Sequence, residues 1–105
     1  MHTVNVPILQ VALRIYKSDE RSKFEKVYGS MPDEWYGCQN GEAVFIGENP
    51  KQDKIGTCYH EATHWVDWVL EHRLSMEVEG LEGHTELRAY MVQYAGDQIR
   101  RYCCE

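Results

Sequence analysis

The sequence predicts an α+β fold in one domain: a small, mostly antiparallel three-stranded sheet packed on about three helices. Three observations carry this expectation. Residues 4–16 place Val4, Val6, Ile8, Val11, Leu13, Ile15 and Tyr16 at spacings near two, as an extended segment with one buried face does. Residues 35–47 hold two short apolar runs around Asn40-Gly41, a hairpin signal. The stretches beginning near Ile55 and at Glu86 repeat apolar residues at helical spacing. A chain of 105 residues fits one domain with one modest core.

In chain order, the first segment is broken near Pro7, which suits an edge position or an interruption. Ser18 then stands as an N-cap, with Arg21 departing from a capping box. Phe24, Val27 and Tyr28 form the buried face of the helix it opens. Gly29 stops that helix and Pro32 forbids its continuation. The hairpin follows, Trp35–Cys38 paired with Glu42–Gly47. Its second strand, Ala43-Val44-Phe45-Ile46, is apolar throughout, so it is buried on both faces or lies beside the next helix. Gly47 to Asp53, with Pro50, makes the connecting loop.

The helix that comes next has two unlike stripes. At about 100° per residue, with His60 at zero, His64 falls near 40°, Asp67 near −20° and Glu71 near 20°. Ile55, Cys58, Tyr59, Ala62, Val66, Val69 and Leu70 fall between about 160° and 280°. Glu61, near 100°, lies outside the apolar stripe. Arg73 to His84 reads as a flexible loop containing Gly80 and Gly83. Glu86 opens the last helix, with Leu87, Tyr90, Met91, Tyr94, Ala95 and Ile99 as its apolar residues. It frays past Arg101.

Composition excludes several classes. Hydrophobic residues make up 43% of the chain, a globular value. The net charge is −6 and the chain has no basic run, which argues against a nucleic-acid partner. No long apolar stretch and no signal-peptide pattern appears, so neither a membrane partner nor secretion is expected. The expected compartment is cytoplasmic, and Cys38, Cys58, Cys103 and Cys104 are expected as thiols. Cys58 packs as a small hydrophobe. Cys103 and Cys104 are open to metal scavenging, to oxidation between chains, or to no role. No feature specifies an oligomeric state.

The polar stripe carries the chemistry. His60, Glu61 and His64 form the pattern H-E-x-x-H. Its histidines sit one turn apart and can share a zinc ion, while the glutamate between them can reach a water activated there. A wet amphipathic helix is the plain alternative, but it gives no reason for this spacing. A catalytic zinc needs a third protein ligand, and Glu86 on the following helix is the candidate. His60-Glu61-x-x-His64 followed by Glu86-x-x-Ala89-Tyr90 resembles the gluzincin class of zinc metallopeptidases. The short chain and the Tyr after the Ala resemble small metallopeptidases of tailed bacteriophages. The likeness covers about residues 42–95.

The resemblance implies a zincin-like minimal core and zinc held by His60, His64 and Glu86. It implies a strand before the zinc helix that lines the cleft and meets an extended peptide. It places the chain in the cytoplasm of a bacterial host. Glu61 would act as general base on a peptide or protein substrate. Tyr90, one turn after Glu86, is an oxyanion donor or a core aromatic. His84 is a second oxyanion candidate or a solvated loop histidine. Asp67 either fixes an imidazole or is a plain surface carboxylate. The alternative function is a non-catalytic phage accessory or interaction domain stapled by zinc. A weaker one is an acidic surface that binds a basic partner.

Overall fold

A computed structural model describes residues 1–73 and 85–105. The chain begins with two strands where the sequence suggests one extended segment. β1 (His2–Val6) and β2 (Val11–Tyr16) are antiparallel, with Val6 opposite Val11. The reversal is a 3-10 turn over Pro7–Leu9. Pro7 supplies the fixed φ that opens such a turn, and Gln10 closes it in the left-handed region at φ 51°.

A second 3-10 turn, Ser18–Glu20, leads into α1 (Arg21–Tyr28). The expected Ser18 cap is therefore displaced: Glu20 accepts from the Lys17 amide at 3.1 Å instead. Phe24 is buried and Tyr28 half-buried, but Val27 is 65% exposed, against expectation. Gly29, at φ 99°, ends the helix by donating to the Glu25 carbonyl at 2.8 Å.

β3 (Gly37–Asn40) and β4 (Ala43–Ile46) form the expected hairpin, but its first strand lies two residues later than expected, with Asn40 opposite Ala43. Gly41 takes the first corner position at φ 56°, where glycine is favoured in a two-residue turn. β4 inserts between β3 and β2 and runs parallel to β2. The sheet is thus four-stranded and mixed, in the order β1-β2-β4-β3, in place of three antiparallel strands. Non-local pairing of β4 with β2 decided this, and local periodicity carries no record of it. The α+β class holds.

β4 is buried along its whole length because both faces of the sheet are covered. Val44 and Ile46 join Val11, Leu13 and Ile15 against the long helices, while Ala43 and Phe45 meet Tyr16, Phe24 and Met31 on the α1 side. Each fully buried side chain of this kind contributes roughly 1.5–3 kcal/mol.

α2 (Lys54–Trp68) is capped by Asp53, whose Oδ1 accepts from the Gly56 amide at 3.0 Å. It continues into a wider turn over Val69–Arg73. Cys58, Ala62, Trp65, Val66, Val69 and Leu70 are buried. Ile55, placed on the apolar stripe by the wheel, is 52% exposed at the helix start. α3 (Thr85–Cys104) runs against α2, burying Ala95 and Ile99 and leaving Leu87 and Tyr94 exposed. It stays helical past Arg101, because Tyr102 and Cys103 pack on the core. The described cysteines are free thiols. The loop expected over residues 74–84, His84 included, lies outside the described residues. Among the described residues no helix is long and apolar enough to cross a membrane.

Candidate metal and catalytic site

α2 presents His60 and His64 on its exposed side, one turn apart. Their Nε2 atoms face each other at 3.2 Å, with the rings nearly perpendicular at 84°. Two nitrogens bound to one tetrahedral zinc at about 2.0–2.1 Å would stand about 3.3 Å apart. The pair therefore has the spacing of two ligands on a common ion, and the donor set suits zinc.

Glu61 departs from the expectation of a position outside the packed stripe. It is only 6% exposed. The cause is β3, the edge strand, which lies over this part of α2. A carbon added at Gly37 would stand 2.9 Å from Glu61 Oε2 and 3.0 Å from Thr57 Cγ2. Burial pushes the Glu61 carboxyl above the usual carboxylate range, and the nearby His60 partly offsets this. Cys38, beside it on β3, has its thiol raised by burial and by the Glu61 carboxylate.

Glu61 and His64 open onto a groove of about 600 Å³, walled by residues 34–39. This corrects the expected cleft strand. β4, which precedes α2, is paired on both sides, so its main-chain groups are used. β3 is the strand with a free edge at the groove.

The remaining candidates lie as follows. Glu86 is exposed at the start of α3. Among the described residues no three His, Cys, Asp or Glu side chains converge on one point, so Glu86 is not drawn up to the histidine pair. Among the described residues Asp67 holds no imidazole; its two oxygens accept from Arg88 of α3 at 2.7 and 3.1 Å. Tyr90 is 67% exposed and belongs to a separate apolar hollow with Leu9, Trp65 and Tyr94. It is therefore neither a core aromatic nor part of the Glu61 groove. His84 lies outside the described residues.

Sequence reasoning missed Gly37 and the aromatic wall before it. One signal was present: a glycine inside a strand marks a close approach by a neighbour. Comparison with known protein families, with curated proteins and with solved structures finds no match.

Proposed function

We propose that the chain is a zinc-dependent peptidase of the gluzincin type, with His60, His64 and Glu86 as the metal ligands and Glu61 as the general base. The observation that carries this reading is the facing Nε2 pair, 3.2 Å apart, with the buried Glu61 between the two histidines on the same helix. Glu61 is largely buried yet lines the groove, and burial raises its carboxyl above the ordinary value. Such a setting suits a group that must take up and release a proton.

Zinc held by these residues would supply Lewis acidity and lower the pKa of a water molecule toward neutrality. The chain's own residues do the rest. His60 and His64 offer Nε2 lone pairs from one rigid turn. Glu86, on the first turn of α3, stands away from the histidine pair, so its ligation would require that turn to move toward them. The Glu61 carboxylate takes the proton of the attacking water and delivers it to the leaving amine. β3 offers an unpaired edge beside the groove, along which an extended peptide can add as a strand.

The test is Glu61→Gln in zinc-loaded protein, assayed on a diverse peptide pool by mass spectrometry. Cleavage by the wild type should fall at least 10²- to 10⁴-fold in the variant and should cease on chelation. Undiminished cleavage by zinc-loaded Glu61→Gln would refute the mechanism. Absence of cleavage by wild-type protein shown to hold zinc would point to a non-catalytic module instead.

A further inference from the structure

The groove beside Glu61 and His64 has a wall that the proposed chemistry does not use. Glu34, Trp35 and Tyr36 form it, just before β3. Trp35 is 47% exposed and Tyr36 38%. Their backbone is held firmly. The Trp35 amide donates to the Pro32 carbonyl at 3.2 Å, and the Tyr36 carbonyl accepts from the Gly47 amide at 2.7 Å and from Gln52 Nε2 at 3.2 Å. The two aromatic side chains are thus displayed from a fixed backbone while each keeps a substantial exposed surface. Nothing in the packing of the core calls for them there.

The charge of the wall points to what it receives. Among the described residues no lysine or arginine lines the groove, and the acidic side chains that do are Glu34 and Glu61. Several other carboxylates have cationic partners: Asp33 and Glu25 meet Arg21, Glu42 meets Arg73, Glu48 meets Lys54, and Asp67 meets Arg88. Among the described residues Glu34 has none. A free carboxylate beside two exposed aromatic faces favours a cation on an apolar stem. The stem lies along the rings, the charge interacts with their π faces, and the head reaches the carboxylate. The volume, about 600 Å³, is within the range of pockets that hold small ligands. The overall charge of −6 adds long-range attraction for a basic partner.

We propose that Glu34, Trp35 and Tyr36 form a specificity subsite for a lysine or arginine side chain of the peptide that occupies the groove. The inference rests on reading the groove as a peptidase cleft, but its test is one of binding. Zinc-loaded Glu61→Gln protein is titrated with four peptides of equal length by calorimetry. They differ at one position, which carries Arg, Lys, norleucine or Glu.

The Arg and Lys peptides should bind about 10-fold or more tighter than the norleucine peptide, as about 1.4 kcal/mol requires, and the Glu peptide should bind weakest. Glu34→Gln should remove most of the cationic advantage. Trp35→Ala should weaken Arg, Lys and norleucine peptides, and the two cationic ones more. Circular dichroism of both variants guards against misfolding, and both positions are exposed. Norleucine binding as well as lysine overturns the subsite, as does a cationic preference that survives both substitutions, or no binding of any peptide. A cationic preference in protein that cleaves nothing leaves the subsite standing and removes the peptidase reading. Cleavage with no cationic preference does the reverse.

Discussion

At Gly37 a hydrogen atom occupies the space where any other residue would place a carbon 2.9 Å from Glu61 Oε2. That contact is below ordinary packing distance, so Gly37→Ala must push the carboxylate or the strand aside. The histidine pair is not in that contact. We expect Gly37→Ala to keep its zinc and to lose about 10²-fold in peptide turnover, measured as kcat alongside zinc stoichiometry. Full turnover in a zinc-loaded variant would show that the carboxylate's position is not critical. Glu61 also sets a pH dependence in the metal-free protein. Burial raises its folded-state pKa above the unfolded value of about 4.3. The folded chain therefore favours the protonated acid, and that contribution is lost as pH rises through the raised value. Glu61→Gln carries no such loss. The melting temperature of the variant should match the wild type near pH 4 and exceed it by a margin that widens toward neutral pH. A gap that does not change with pH would contradict the burial of this carboxylate.

Among the elements, the pair α2 and α3 decides whether a two-helix metal site can form. Their approach is set by Gly96, where an added carbon would fall 2.2 Å from Tyr59 Cδ1. Tyr59 cannot simply swing away, because its hydroxyl donates to Asp97, the residue after Gly96. In an isolated helix Gly96→Ala would gain about 1 kcal/mol. Overpacking here should cost about 1–3 kcal/mol, so urea denaturation should show a less stable variant despite the better helix former. A more stable variant would mean that the helices can part at no cost. At the other end of the pair, Arg88 and Asp67 make a two-bond clamp. It is half exposed, so its net worth is modest, about 1 kcal/mol or less. Its consequence is geometric: it holds the turn of α3 that carries Glu86.

For the whole molecule, a metal shared by α2 and α3 would bind only the folded chain. At free zinc about 100-fold above its dissociation constant this adds about 2.7 kcal/mol. Chelation should then lower the melting temperature by about 10 °C or more in a domain of this size, read by circular dichroism. An unchanged melting curve after verified metal removal would place the site outside the cooperative fold. The fold itself rests on a sheet covered on both faces, so it keeps a substantial core without the metal.

Local features are legible in the residues alone. Helical spacing put His60 and His64 one turn apart. Glycine and proline marked the C-terminal end of α1, and Asn40-Gly41 the β3–β4 turn. Unbroken apolar character in Ala43–Ile46 marked a strand buried on both faces or set beside the next helix. Glu86 at the opening of the last helix was legible from periodicity alone. The tertiary structure decided what depends on residues distant in the chain. Insertion of β4 beside β2 made the sheet mixed. β3, folding over α2, buried most of Glu61 and turned a position beside the apolar stripe into a carboxylate at the groove. The same strand made its free edge, and not that of β4, the side of the groove. Arg88 took Asp67 away from the histidines. None of these is visible to a helical wheel, because a wheel records only where a side chain points on its own helix. What meets that side chain is set by which strand packs there, and that choice belongs to non-local pairing.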